Sequence, residues 1–377
     1  MRTKMRMLLA SSILLGALPL TAGCEPFPSA YVFAADRPLS QDQLHQELNR
    51  AWSERLGSLK VTFSGKEGTI KRDMKEILNH ALYSDDYLHY IVKSYGYDAT
   101  IKGNIATITF KFTYWETLAQ TNEVKQRVTR TLKRILTPEM NDFQKQKAIH
   151  DWIVTNLSYD TRLVSYSAYD GIVNGETVCQ GYALLTYEMM RQAGIPVKIV
   201  EGTSRGIAHT WNLVQLGGKW YHLDTTWDDP VPDEAGRIVY NYYNLTDSQI
   251  KIDHKWKPSA LYPTAVTPFD QTLASLSGKG APKADFYKKL YEQLGFVYLS
   301  DANTATSLQE LTSLIKSAVD KRQKQLIVRY TNGVTFKSDM KKAFSAQKGL
   351  SSYSYSYEDY TPTTMNDKLL RIKFTYS

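Results

Sequence analysis

Residues 175–196 read Gly175-Glu176-Thr177-Val178-Cys179-Gln180-Gly181-Tyr182-Ala183-Leu184-Leu185-Thr186-Tyr187-Glu188-Met189-Met190-Arg191-Gln192-Ala193-Gly194-Ile195-Pro196. The stretch predicts a helix that starts at Cys179 and stops at Gly194, because glycine favours the left-handed end of a helix and Pro196 cannot continue one. Cys179 then sits at a helix N-terminus. Unpaired N–H groups and the helix dipole stabilise a thiolate there, so this is a place where a thiol becomes a nucleophile.

The residues after that helix suggest where a base could stand. Strands are expected over residues 197–200, 210–216 and 220–224, the last two joined by a turn at Gly217-Gly218. His209 precedes the turn and Asp224 comes after it at nearly equal separation. The hairpin should make them near neighbours, sharing a sheet face if the register allows. A thiol, an imidazole to take its proton and a carboxylate to hold the imidazole have the makings of a nucleophilic triad. Taken alone, His209 could be structural and Asp224 could open a turn.

Working outward, residues 141–157 carry a capping box, Asn141-Asp142-Phe143-Gln144, ahead of a helix through Ala148, Trp152 and Ile153. His150 and Asp151 on it read as packing or structural hydrogen bonding. Upstream, Ser40 opens a helix through Leu44, Leu48 and Trp52. A strand at 59–63 comes next, then a helix with Asp73-Met74-Lys75, a Tyr-rich stretch at 87–97 and an alternating strand with Ala106, Ile108, Phe110, Phe112 and Tyr114 on one face. The same order returns at the C-terminus: strand 326–330, Asp339-Met340-Lys341, Tyr-rich 353–360 and strand 372–376. Both copies end in Lys-Phe-Thr-Tyr, which argues for a divergent internal duplication.

The expected organisation is an export segment at 1–35, an accessory domain at 36–117, a catalytic domain at 118–262, a linker at 263–285 and a second accessory domain at 286–377. Helices followed by antiparallel strands define the class as α+β. The accessory domains read as scaffolding, or as surfaces for substrate or cell-envelope binding.

The 377 residues hold 42% hydrophobic and 22% charged side chains, an ordinary globular composition. Residues 1–23 carry Arg2, Lys4 and Arg6 and no acid. They are followed by an uncharged stretch at 7–20 and by Thr21-Ala22-Gly23-Cys24. This reads as an export signal. Cys24 is a lipidation candidate in a lipobox-like setting, although Thr21 stands where an aliphatic residue is wanted, and cleavage after Ala34 or Ala35 is the alternative. Removing the three basic residues takes the formal charge from +8 to +5. With no Lys/Arg runs, nucleic acid is not an expected partner, and the membrane is met only through an N-terminal anchor.

Cysteine usage sharpens the reading. The chain has two cysteines, Cys24 and Cys179. Loss or acylation of Cys24 leaves Cys179 unpaired in an exported protein, either a reactive thiol or a small buried hydrophobe. No Cys/His cluster has zinc spacing, the acids from Asp228 to Glu234 lack a calcium-loop pattern, and no phosphate loop occurs, so no cofactor or metal is expected.

Three boxes now carry a resemblance. They are Val178-Cys179-Gln180-Gly181-Tyr182-Ala183, Ala208-His209-Thr210-Trp211-Asn212, and Gly218-Lys219-Trp220-Tyr221-His222-Leu223-Asp224-Thr225-Thr226-Trp227-Asp228-Asp229-Pro230. Together with His150-Asp151-Trp152-Ile153, Tyr159-Asp160 and Tyr242-Tyr243-Asn244, they resemble the bacterial and kyphoscoliosis-type members of the transglutaminase-like branch of the papain-type thiol enzymes. The resemblance covers roughly residues 125–260. It implies a papain-like core and a Cys179, His209, Asp224 triad that passes an acyl group from a protein or peptide amide to an amine or to water. Gln180 and Tyr169 are candidates to join the Cys179 N–H in binding the oxyanion. Trp211, His222 and Trp227 are candidates for the cleft wall or for support of the triad. A transferase, a protease or amidase acting on envelope peptides, and a non-catalytic surface protein all fit the sequence.

Overall fold

Alternation decides the N-terminal layer. In Ile105–Tyr114 the residues Ala106, Ile108, Phe110, Phe112 and Tyr114 are buried, so one face of this strand closes a core. The computed structural model describes residues 3–9, 32–33 and 37–376, apart from 66, 230, 233–237, 258–259, 346, 348 and 364–365. Cys24, Ala34 and Ala35 lie outside the described residues.

In chain order this layer comprises β1 (Thr3–Leu9), β2 (Val32–Phe33), α1 (Gln41–Ser53), β3 (Ser58–Ser64), α2 (Glu67–Leu82), α3 (Asp86–Ile91), β4 (Val92–Lys102) and β5 (Ile105–Tyr114). The sheet runs β1-β4-β5-β3-β2. Ser40 and Gln43 form a reciprocal capping box that starts α1, and Leu44, Leu48 and Trp52 then fall on its buried face. A chain cleaved after Ala34 or Ala35 would lose β1 and β2 and keep β4, β5 and β3.

The layer that carries the site comes directly after: α4 (Leu118–Ile135), α5 (Asp142–Asn156), β6 (Ser158–Tyr159), a π-helical turn (Asp170–Asn174), β7 (Glu176–Thr177) and α6 (Cys179–Gln192). The antiparallel strands β8 (Val197–Ser204), β9 (Ile207–Leu216), β10 (Lys219–Leu223) and β11 (His254–Trp256) are next. Their order in the sheet is β10-β9-β8-β11, and α6 lies across β8 and β9. Gly217 and Gly218 have φ of 55° and 77°, the double positive φ that a two-residue hairpin matching strand twist requires. The N-terminal layer and this one form a single compact unit, Met1–Tyr243 with Asp253–Pro263.

The second unit is Asn244–Ile252 with Thr264–Ser377. It holds α7 (Asp247–Ile250), α8 (Phe269–Leu276), α9 (Ala284–Gln293), β12 (Thr304–Ala305), α10 (Leu308–Asp320), β13 (Gln325–Tyr330), α11 (Phe336–Ser345), β14 (Leu350–Asp359) and β15 (Lys368–Tyr376). Helix, strand, helix and hairpin succeed one another here as they do from α1 to β5. In both sets the last strand sits between the other two, in the orders β13-β15-β14 and β3-β5-β4. A short strand also runs parallel to the first one in each, β12 beside β13 and β2 beside β3.

One expectation needs correction. The stretch expected as a linker at 263–285 contains α8, with Phe269, Thr272 and Leu273 buried. Phe269, Leu273 and Leu276 stand at helical spacing, and the interleaved Ser and Thr disguise them as loop.

Candidate active site

Helix α6 begins at Cys179 with Val178 as its N-cap, and Val178 has no side chain that could cap it. No side chain caps the first turn, and the positive end of the helix suits a negative charge there. The Cys179 side chain is buried, with 3% of the residue exposed. Burial pushes its thiol up, but the hydrogen bond and charge of His209 and the Thr210 backbone N–H outweigh that, and the net shift is downward. Thr210 Oγ1 stands 3.8 Å from the sulfur.

Strand pairing brings the other two groups to it. Leu223 pairs with Asn212, so Asp224 continues opposite Trp211, diagonal to His209 on the same face. His209 Nε2 lies 2.6 Å from Asp224 Oδ2, leaving the Nδ1 side of the ring for the thiol, whose hydrogen bond also raises the imidazole. Desolvation lowers the His209 pKa, yet Asp224 and Cys179 together raise it to about 10. Asp224 is fully buried. Burial pushes it up, but His209 and His254 hold it well below the usual carboxylate range. Its Oδ1 accepts the N–H groups of Thr226 and Trp227 at 3.0 and 3.2 Å.

A fourth group is one the sequence reading missed. His254 Nε2 approaches Asp224 Oδ2 at 3.0 Å, and His254 Nδ1 approaches Asp253 Oδ1 at 2.6 Å. A carboxylate facing each nitrogen favours the charged ring, in which both nitrogens donate. Desolvation lowers its pKa, and the two carboxylates overcome that and raise it. The network ends at Tyr242, whose hydroxyl donates to Asp253 Oδ2 at 2.5 Å, and at Arg205, 3.4 Å from the same oxygen.

Other candidates fall differently. The two amide hydrogens of Gln180 are committed to Tyr90 O and Tyr166 O, at 2.9 and 3.1 Å, so the side chain is not an oxyanion donor. Tyr169 precedes the π-helical turn and its N–H donates to Glu116 Oε1. The tyrosines that feel the thiol's charge are instead Tyr159 and Tyr166. Burial first and Cys179 second push Tyr159 up to about 12. His222 shares the strand face of Asp224, and its Nδ1 accepts from Trp211 Nε1 at 2.9 Å, so it braces the tryptophan. Trp211 is buried, with its ring nearly parallel to that of His209 at 5.9 Å. Trp227 meets His209 edge-on at 6.3 Å. His150 is fully buried between Asp151 and Asp228, at 3.0 and 3.1 Å, a second network outside the triad.

His209, Asp224 and His254 each offer one ligand atom within 4.8 Å of the others, a set that could hold a metal ion. Here Asp224 Oδ2 takes both imidazoles. An ion would have to displace those protons, at the expense of the charge arrangement around the thiol.

The site and the fold around it define a class: residues 129–225 match the model of the transglutaminase-like superfamily, and the chain carries a domain of that superfamily. Among particular proteins, it is similar to kyphoscoliosis peptidase of Mus musculus, 26% identical over 188 residues, which covers 44% of this chain and 28% of that one. The Homo sapiens protein of the same name is 27% identical over 177 residues, covering 41% and 26%. The chain thus spans little more than a quarter of the length of these relatives. A solved structure described as a TGase is 13% identical, with 48% of this chain and 53% of that one covered and a TM-score of 0.26.

Proposed function

We propose that the chain is a thiol enzyme that transfers acyl groups from protein or peptide amides through a thioester on Cys179. The observation that carries this is the placement of Cys179 at the uncapped start of α6, against an imidazole held by a buried carboxylate. The Cys179 thiolate attacks the carbonyl carbon and a C–S bond forms. As the C–N bond breaks, His209 gives its proton to the departing amine. An amine or water then attacks the thioester, loses its proton to His209, and the thiolate is released.

The name of the similar kyphoscoliosis peptidase favours water as an acceptor, so hydrolysis is the second reading. Export is part of the proposal and rests on the basic start and the uncharged stretch at 7–20. Substrates would then be extracytoplasmic proteins or envelope peptides.

Labelling with iodoacetamide at neutral pH tests the nucleophile: Cys179 should react faster than free cysteine, and equal or slower labelling would overturn the enzyme reading. Incorporation of a primary amine into a glutamine-bearing protein, set against release of peptide fragments, separates transfer from hydrolysis. Cys179→Ala should abolish both. Fractionation of the producing cells, with N-terminal sequencing, tests export.

A further inference from the structure

Asp224 stands one residue past β10, where the ladder that pairs Leu223 with Asn212 no longer holds it. Its main chain is tied elsewhere. The Asp224 N–H donates to Tyr242 O at 3.1 Å, and Asp224 O accepts the Asp228 N–H at 3.2 Å. A side chain closes the ring, because the Tyr242 N–H donates to Asp228 Oδ1 at 2.8 Å. Three residues thus hold one another, and the Asp228 carboxylate is the side-chain link among them.

Asp228 is held in turn. It is fully buried, and its Oδ2 lies 3.1 Å from His150 Nε2. His150 is also fully buried, with Asp151 Oδ1 3.0 Å from its Nδ1. Asp151 is itself fixed by the Tyr240 hydroxyl at 2.8 Å and by Lys147. The Tyr240 ring stacks on the imidazole at 5.1 Å, and the Tyr243 ring meets it edge-on at 4.9 Å. The imidazole has little freedom to turn, and neither has the carboxylate that rests on it.

Tyr242 joins this network to the one around the reactive ring. Its hydroxyl donates to Asp253 Oδ2, Asp253 holds His254, and His254 meets Asp224 Oδ2. Asp224 is therefore referred to Tyr242 twice, through its main chain and through its side chain. Stability does not account for the buried pair. Replacing such a pair by well-packed apolar residues of similar volume is often neutral or stabilising. Burial pushes Asp228 up to about 6 in spite of His150. What the pair does provide is a fixed acceptor for one peptide N–H.

We propose that Asp228, held by His150, is a positioning residue: through the Tyr242 peptide it sets where Asp224 stands, and so how closely Asp224 meets His209. The proposal rests on the acyl-transfer reading only in using turnover as one of its readouts. His150 and Asp151, which read from sequence as packing or structural hydrogen bonding, then serve the reactive pair.

The test compares two substitutions in the full chain. Asp228→Ala removes both charge and acceptor, whereas Asp228→Asn removes the charge and keeps an oxygen for the Tyr242 N–H, with its amide toward His150. Asp228→Ala should lower kcat on the order of tenfold with KM unchanged, because the reactive groups are misplaced and the substrate contacts are not. Of the groups facing His209, which are Cys179, Asp224 and His254, Asp224 raises it most. A looser Asp224 should therefore move the basic limb of the pH profile to lower pH. Asp228→Asn should keep the wild-type kcat and limb.

The same contact is read without turnover in the Cys179→Ala background. The low-field NMR signal of the proton between His209 Nε2 and Asp224 Oδ2, identified by its loss in His209→Gln, should move upfield with Asp228→Ala and stay in place with Asp228→Asn. Thermal melting shows which variants fold. If Asp228→Ala does not, His150→Phe takes its place: it keeps a ring against Tyr240, loses both hydrogen bonds, and should move limb and signal the same way. Unchanged kcat, limb and signal in a folded Asp228→Ala protein would overturn the proposal. So would Asp228→Asn behaving like Asp228→Ala, which would assign the effect to the buried charge and not to the Tyr242 link. The two ideas fail separately. A wild-type chain without turnover sinks the enzyme reading, and the NMR signal still decides the positioning; an active enzyme indifferent to Asp228→Ala does the reverse.

Discussion

His254 Nε2 and His209 Nε2 meet the same oxygen of Asp224, at 3.0 and 2.6 Å, so one buried carboxylate is shared by two imidazoles whose rings lie 5.4 Å apart. The arrangement fixes Asp224 through the very oxygen it offers the reactive ring, and Asp253 fixes His254 in turn. A second cation that close disfavours the charged form of His209. We therefore expect His254→Asn to have two effects. The rate constant kcat should fall on the order of tenfold with KM unchanged, less than for loss of Asp224 itself, because orientation is loosened and not removed. The basic limb of the pH profile should move to higher pH, because His209 is freed of its neighbour's charge. A His254 that only supported the fold would lower the yield of active protein and leave the limb in place.

The thiol's own pH dependence is the next expectation. Burial acting alone would raise Cys179, so its net lowering depends on His209 and Thr210. Iodoacetamide alkylation of the wild-type chain should depend on pH less steeply between about pH 6 and 8 than alkylation of a free thiol, which changes by nearly two orders of magnitude. In His209→Ala the steep dependence should return and the rate should drop below that of free cysteine.

A stability measurement reads the same network with the opposite sign. In Cys179→Ala the thiol no longer titrates, and His209 is still raised by Asp224. A folded pKa above the unfolded value of about 6.5 contributes stability that is fully present below that pH and is lost as pH rises through the folded value. Melting temperature should therefore decline from about pH 6.5 upward in Cys179→Ala, and Cys179→Ala/His209→Gln should decline less, keeping only what His254 and His150, both also raised, contribute. Parallel curves for the two proteins would mean that the pair contributes nothing to folding.

The helix, the hairpin and the meeting of His209 with Asp224 were legible because each is announced locally. Cys179 is followed by a helical run ending in Gly194 and Pro196, and Gly217-Gly218 sets the register that places Asp224 diagonal to His209. His254 was not legible. It lies thirty positions beyond Asp224, in a three-residue strand too short for any periodic pattern, and only the pairing of His254 with Ser204 delivers it to the site. Gln180 misled for a related reason. Adjacency to the nucleophile suggested an oxyanion donor, whereas its amide is spent on carbonyls of Tyr90 and Tyr166. The partner at Tyr90 comes from the N-terminal layer, ninety positions away, a contact that no box of sequence displays.

Gly181 carries the tightest constraint beside the nucleophile. A Cβ there would stand 1.9 Å from Thr177 Oγ1 and 2.6 Å from Ser167 O. Thr177 is itself held by hydrogen bonds to Ser165 O and Ser167 O at 3.1 and 3.2 Å, so it has little room to yield. Overpacking of this kind costs about 1–3 kcal/mol, or several degrees of melting temperature. Gly181→Ala should lose that stability and also slow Cys179 alkylation, because the first turn of α6 must shift. Unchanged labelling in a destabilised Gly181→Ala protein would show that the turn relaxes without moving the thiol.

Gly202 gives a way to disturb His254 without touching a titrating group. It pairs with His209 on one side and with Trp256 on the other, so β11 packs against it directly. A Cβ at Gly202 would come within 2.1 Å of Lys255 O and 3.0 Å of the Trp211 ring. The nearest obstacle is backbone, which cannot rotate aside, so Gly202→Ala should push β11 off β8. His254 rides on β11, whereas His209 and Asp224 are held by β9 and by the residue after β10. The substitution should therefore lengthen the His254–Asp224 contact selectively. Its pH profile should show the same upward shift of the basic limb as His254→Asn, with Cys179 still labelled by iodoacetamide. A Gly202→Ala protein with the wild-type basic limb and reduced stability would separate the strand from the reaction and leave His254 a structural group.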